Sequence, residues 1–437
     1  MAKKKREEKP REYTRRQLSH FNKQKRRQRI IFISGIAVIV AIILIVSAGW
    51  YMTDYRPLHR TVIKVGDTKF DASYYADMLV LYMQLYSGYS VTVDQIEANL
   101  SQVIISNELV RQGAAPLGIT ISDADIIKTL EANGKPTSQA YIDYYRTTQL
   151  QSRLQDEYFG TQIVPYTDNQ VHIMALMVES ESVAEEVREK ILNGDNFSTL
   201  VADFGKDSYS SAVNGDFGLH PRAVLEDSLD ATVPLDYAFG ADAESGSVSP
   251  PLADNATYKT IGYWLLNVTG RPSDNESAVE GLYLGSYDQA LEIKARLEAG
   301  DNLTALADQY TQYTGTRNNH GDLGVITKPA DNTSMILSEA FDGYVFDPST
   351  PLGQWSDPIV DTLSTQGGYW VVQVVEKDIN SKLSDDDRSS LISKAYSAWY
   401  NQLYSERAAD IDMSGLTSDI RDWAIARAEK ALAQAGG

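Results

Sequence analysis

The run "GYWLLNV" at residues 262–268 returns as "GYWVVQV" at 368–374, an offset of 106 residues. In each, Gly-Tyr-Trp leads into a short apolar run (Leu265-Leu266, then Val371-Val372), which reads as a β-strand. Outward from these triplets the correspondence continues. "LNGDNFSTL" (192–200) matches "EAGDNLTAL" (298–306) and "GDFG" (215–218) matches "GDLG" (321–324), both at 106, while "GSVSPP" (246–251) matches "GQWSDP" (353–358) at 107. Matches in one order at a near-constant offset identify a tandem duplication, with repeats expected at 166–273 and 274–380. Each repeat opens with a strand. An amphipathic helix follows ("SVAEEVREKIL", "YDQALEIKARL"), ended by Gly194 or Gly300, then a shorter helix, a glycine turn and the Gly-Tyr-Trp strand. Strands at both ends with helices between predict an α+β unit around a small antiparallel sheet.

Upstream, residues 60–165 read as helical. A short strand at 62–65 turns at Gly66-Asp67, and Ser73 is the expected cap of a helix carrying Tyr75, Leu79, Tyr82 and Tyr86. Further helices are expected near 93–112, after Ser122 with Asp125 three residues on, and from 137 to 160. Downstream, "LSDDDRSSLISKAYSAWYNQLYSERA" predicts a long helix with Ile392, Tyr396, Trp399 and Leu403 on one face. A lone helix must bury such a face. Residues 383–425 are therefore expected to complete the helical domain, which the two repeats interrupt.

The net charge of −19 conceals an asymmetry. Residues 1–29 hold 13 Lys or Arg against three Glu, and the rest of the chain is strongly acidic. Between them, residues 30–52 carry no charge. At ~1.5 Å per residue this run spans a hydrocarbon core of ~30 Å. A cleaved signal peptide, with "VSA" before Gly49, is the competing reading. The apolar run is longer than the ~7–15 residues usual there, which favours a retained anchor. The basic segment then places residues 1–29 in the cytoplasm and the bulk of the chain outside. Contact of that segment with anionic lipid is the simpler reading than RNA binding, and no nucleic-acid partner is expected. The chain has no cysteine, and His20, His59, His172, His220 and His320 lack metal-ligand spacing, so neither a metal nor another cofactor is expected.

This order of segments resembles the SurA, PrsA and PpiD class of extracytoplasmic folding factors. "VIKVGDTKF" followed by "NELVRQGAAPLGITISDADI" is similar to the SurA-type N-terminal domain. "HIMALMV…AEEVREKILNGDNFSTLVADFGKDSYSSAVNGDFG" is similar to the parvulin signature. The resemblance implies an α+β protein with an N-terminal transmembrane helix, a helical chaperone domain, two tandem parvulin-like domains and a C-terminal helix. It implies peptidyl-prolyl cis-trans isomerase and chaperone activity toward unfolded or newly translocated polypeptides and their X–Pro segments. The alternative is a holdase that uses parvulin folds only to bind. An X–Pro isomerase lowers the barrier of a resonance-stiffened amide by holding proline in an apolar pocket and favouring the twisted state.

The resemblance assigns His172 to the family's opening histidine and Asp207 to its acidic position, with Leu235 and Trp264 in the substrate pocket. Trp264 stands where the family's closing Gly-x-His places a second histidine, and an indole has a donor but no acceptor. In the second repeat Tyr313 takes the aspartate position and Trp370 the closing histidine's, which predicts a non-catalytic copy. The Met78, Tyr82, Met83 and Tyr86 helix is expected mainly in the core, with part of it open to clients.

Overall fold

The computed structural model describes residues 15–51, 55, 58–330 and 334–435; residues 1–14 of the basic segment and Met52 of the expected span lie outside them. The architecture is mixed α+β. Helix α1 (Arg15–Trp50) is continuous from the basic segment into the apolar one, because Lys, Arg and Gln are themselves good helix formers. Its stretch Phe32–Gly49 has a mean hydropathy of 2.7 and is unburied, long and apolar enough to cross a membrane.

The chain divides into two compact units. The first, 1–159 with 396–437, begins with the hairpin β1 (Thr61–Val65) and β2 (Thr68–Asp71), turned at Gly66 with φ +59°. Helix α2 (Ala72–Leu85) is capped by Asp71, which accepts from the Tyr74 N–H at 2.9 Å. Asp71 rather than Ser73 is thus the cap, since the helix starts directly off β2. Helix α3 (Val93–Ala114) opens with a Thr92/Gln95 capping box, α4 (Asp123–Ala132) with the Ser122 cap, and α5 (Gln139–Arg153) follows.

The second unit, 160–395, contains both repeats. The first supplies β3 (Thr167–Val178), α6 (Glu181–Leu192), α7 (Phe197–Phe204), α8 (Ser208–Ala212), β4 (Asp216–Pro221), α9 (Arg222–Leu229), α10 (Val233–Ala238), β5 (Leu252–Lys259) and β6 (Gly262–Ser273). The second supplies β7 (Glu276–Leu284), α11 (Tyr287–Glu298), α12 (Leu303–Tyr310), α13 (Thr314–Asn318), β8 (Asp322–Thr327), α14 (Glu339–Val345), β9 (Ile359–Asp361) and β10 (Thr365–Lys382). Two four-stranded antiparallel sheets form, ordered β4-β3-β10-β5 and β8-β7-β6-β9.

Each repeat has therefore given its Gly-Tyr-Trp strand to the other. The strand at 368–374 closes the first sheet, pairing Val372 with Ala175, and the strand at 262–268 closes the second, pairing Trp264 with Tyr283. The repeats run as read, but their boundaries at 166–273 and 274–380 do not bound the folded lobes. Lobe A is 167–259 plus 365–382, and lobe B, 262–361, is inserted within it.

A local cause is visible. Ser273 pairs with Glu276, so only Asp274 and Asn275 separate β6 from β7. Two residues make a tight hairpin, the least costly loop to close, and this commits β6 to the opening strand of the second repeat. Strand β5 must then find its neighbour elsewhere, and β10 carries the same residue pattern as β6. Lys259 and Thr365, equivalent at an offset of 106, face each other where the chains cross.

Helix α15 (Asp385–Arg407) leads from the second unit to the first, followed by β11 (Ile411–Asp412), which pairs with β1, and α16 (Ser418–Ala435). Leu416, Ile420, Ala424 and Ala428 lie in one core with Val62, Ile63, Tyr75, Leu79, Leu100 and Ile104. Gly113 of α3 admits α15 closely: a Cβ there would fall 2.5 Å from Leu403 and 2.7 Å from Trp399.

Candidate functional site

In lobe A, strand alternation sorts the side chains onto two faces. Val171, Ile173, Ala175 and Met177 pack with Trp370, Val372, Val374 and with Leu225, Leu229, Leu235 and Ala238 from α9 and α10. Met174, Leu176 and Val178 face α6 and α7 instead, with Val371. The tryptophan face is filled: Trp370, Leu235, Ala175 and Met177 are all 0% exposed.

Each buried indole has an acceptor, as a buried N–H requires. Trp370 Nε1 donates to Asp254 Oδ2 at 2.9 Å, and Trp264 Nε1 donates to Asp361 Oδ2 at 2.8 Å. Burial works to raise Asp254, but the Ala256 N–H, the indole and Thr257 prevail and hold it below the usual carboxylate range. The same matched anchoring recurs on the backbone, where Val372 N–H donates to Ser249 Oγ and Leu266 N–H to Ser356 Oγ, each at 3.0 Å. The tryptophans are core residues with a polar anchor.

The expected site residues are dispersed. His172 alternates with Val171 and Ile173 and so points away from the Trp370 face. Its Nε2 lies 2.7 Å from Asp216 Oδ1 on β4, partly exposed. Burial acts to raise Asp216, but the bonds from His172 and the Gly218 N–H outweigh it and hold the carboxyl low.

Asp207 is 2% exposed and fully engaged. It caps α8, accepting from the Ser210 N–H at 2.7 Å and from Ser210 Oγ, and ties the Met177 N–H at 3.1 Å. His172 and Asp207 thus have separate partners. Leu235 lies in the lobe A core, but Trp264 does not join it. Strand exchange places Trp264 in lobe B, against Tyr283, Phe341 and Tyr313 at 4.6, 5.0 and 5.5 Å between ring centroids. Trp370 takes its place in lobe A. The opening-strand residue paired beside this face is Ala175, which cannot titrate.

Asp254 and Asp361 were not singled out from sequence. The repeat register contained the signal, for each lies eight residues after the glycine of "GSVSPP" or "GQWSDP".

A different surface is open in the first unit. Tyr82 of α2 and Tyr86, the residue that ends it, stack at 6.3 Å, Tyr89 meets Tyr86 edge-on at 6.0 Å, and Tyr144 of α5 meets Tyr82 at 5.8 Å and Tyr145 at 5.4 Å. Tyr86 is 43% and Tyr89 71% exposed, flanked by exposed Leu85 and Val91. Met78 is fully buried, whereas Tyr82 and Met83 are only partly so. Helix α5 also lines a cleft of about 600 Å³ with Asp143, Arg146 and Leu150, opposite Phe70 and Tyr74. There Arg146 is neutralised by Asp123 and by Asp143 at 2.7 Å.

No family model matches the chain. It is similar to the foldase protein PrsA of Halalkalibacterium halodurans, 24% identical over 199 residues that cover 46% of each chain. It is similar to the parvulin-like PPIase of Rickettsia typhi, 25% identical over 28% of this chain and 44% of that one. The chaperone SurA of Alkalilimnicola ehrlichii is 23% identical over 54% of this chain and 55% of its own. The chain spans about half the length of the curated relatives it matches. Among solved structures, peptidylprolyl isomerase (PrsA) from Bacillus cereus aligns with 86% of this chain and 92% of its own, at 10% identity and a TM-score of 0.24. In sequence the chain is similar to the PrsA and SurA folding factors.

Proposed function

We propose that the chain is a membrane-anchored extracytoplasmic folding factor that holds unfolded polypeptide on the tyrosine surface of its helical unit. In this reading its two parvulin-like lobes bind or scaffold without prolyl isomerisation. The open tyrosine surface carries the proposal. Tyrosine gives broad apolar contact at low entropic cost and a hydroxyl that accepts varied partners, as recognition of many unfolded sequences requires. The filled Trp370 face and the separation of His172 from Asp207 support binding rather than catalysis. The relatives named as foldase and chaperone support the class, and the apolar stretch of α1 supports the anchor. The basic residues before it support a cytoplasmic N-terminus. A second reading, isomerase chemistry in lobe A, draws on the partly exposed His172–Asp216 pair.

The test is aggregation of an unfolded client in the presence of the full chain in detergent micelles. Wild type is expected to suppress it. The double variant Tyr86→Ser, Tyr89→Ser is expected to lose most of that suppression while its stability shifts by no more than about 0.5 kcal/mol, as for exposed positions. Undiminished suppression by the double variant would refute the assignment of this surface.

A further inference from the structure

Where the exchanged strands cross, lobes A and B enclose a cleft of about 750 Å³. Lys259, the last residue of β5, lies in its wall and is 2% exposed. Its Nζ donates to the Gly367 carbonyl. A Cβ added at Gly285 would sit 2.7 Å from Gln312 Nε2 and 3.4 Å from Nζ, so this glycine lets the amide and the amine approach its backbone. In the repeat register Gly285 is the counterpart of Glu179 (285 − 179 = 106). One lobe therefore brings a carboxyl to the crossing, where the other has bare backbone covered by Gln312.

Glu179 also lines the cleft, and its Oε2 is shielded from solvent without a hydrogen-bond partner. Burial, foremost, keeps its carboxyl above the usual range, against the Tyr263 hydroxyl and the charges of Lys206 and Lys259. Burial likewise lowers Lys259 to about 8, with Glu179 opposing it. A desolvated amine and a desolvated carboxyl lining one cleft are the pairing used for carbonyl addition, and the upward shift of the carboxyl suits it to donate a proton. The rim carries Glu181, Glu185, Asp288 and Glu292, which disfavours anionic carbonyl compounds.

We propose that Lys259 is a covalent attachment site for a small neutral aldehyde, with Glu179 as the proton donor. The Nζ lone pair forms the C–N bond, and the carbonyl π pair moves to oxygen, which takes the Glu179 proton. The carboxylate then removes a proton from nitrogen and returns it to the hydroxyl. Water leaves as the nitrogen lone pair forms the C=N bond, and the carboxylate takes back the remaining nitrogen proton. Amine plus aldehyde gives imine plus water, with no oxidant or reductant. This inference does not rest on the polypeptide-holding function.

The experiment treats the full chain in detergent with glycolaldehyde and cyanoborohydride, which traps imines, and maps modified lysines by mass spectrometry across pH 6–10. At pH 7.5 an amine of pKa near 8 is roughly a quarter unprotonated, against about a thousandth for an ordinary lysine. Allowing for its lower intrinsic nucleophilicity, labelling at Lys259 is expected to be about tenfold faster than at the exposed Lys128 or Lys135. Its rate should level off above pH ~8, while exposed lysines continue to rise. Glu179→Gln should slow labelling at Lys259 several-fold and nowhere else. Labelling at Lys259 no faster than at the exposed lysines overturns the proposal, and so does an unchanged rate in Glu179→Gln. Should that variant fail to fold, the wild-type profile decides, and a Lys259 rate that climbs to pH 10 without a break overturns it.

Discussion

Trp370→Ala should unfold lobe A, and Trp264→Ala should unfold lobe B. A fully buried tryptophan cut to alanine costs about 3–5 kcal/mol in lost contacts and cavity. Here the cost grows by about 1–3 kcal/mol, because Asp254 or Asp361 loses the indole donor while remaining buried. The sum approaches the whole stability of a small lobe. Amide hydrogen exchange reads which lobe fails. In Trp370→Ala the newly unprotected amides should be those of β3, and in Trp264→Ala those of β7, because these are the strands each tryptophan strand pairs with. A chain folded in simple sequence order would show the reverse. Loss of β7 protection in Trp370→Ala would therefore disprove the strand exchange.

Removal of residues 408–437 should abolish folding of the helical unit while the lobes melt as before. The truncation takes away β11 and α16, and with them Leu416, Ile420, Ala424 and Ala428 from the core around Tyr75 and Leu79. Full burial of one leucine or isoleucine contributes about 1.5–3 kcal/mol, and the exposed face of α2 adds a similar loss. Glu97, nearly buried, also loses Arg421 at 2.6 Å and retains only the Tyr75 hydroxyl. The cut falls after α15, so the bond of Asp387 to His220 at 2.7 Å in the second unit is spared. Circular dichroism with separate melting transitions measures the outcome. A helical transition at the wild-type temperature would show that the C-terminal segment is not part of that core.

The duplication was legible because Gly-Tyr-Trp and the glycine turns are fixed by local geometry, and local geometry is written in short motifs. The exchange was much less so. Strands β6 and β10 offer the same alternation of residues to either sheet, and only the two-residue link at Asp274 and Asn275 distinguished the outcomes. Similarly, His172 is on an opening strand as read, but the face it presents is set by alternation relative to Trp370, and that partner comes from 198 residues away (370 − 172). Asp207 was visible as a residue and its cap geometry was not. The long helix read at 383–408 is α15, Asp385–Arg407, whereas the turn that follows it was not read: at Gly415 a Cβ would fall 2.3 Å from the Thr61 carbonyl. Tyr82 and Tyr86 were marked by their helical spacing, whereas Tyr144 joins them from another helix and only the tertiary fold brings it there.

We propose that this chain binds unfolded polypeptide without isomerising its prolines. This is tested most directly by refolding a proline-limited client with increasing amounts of the full chain in detergent. Uncatalysed X–Pro isomerisation takes tens to hundreds of seconds, so a slow phase is readily resolved. The expected result is an unchanged rate for that phase and a higher yield of soluble client. A slow phase that accelerates in proportion to the chain added would contradict the claim, and its loss in His172→Ala would locate the chemistry at that histidine.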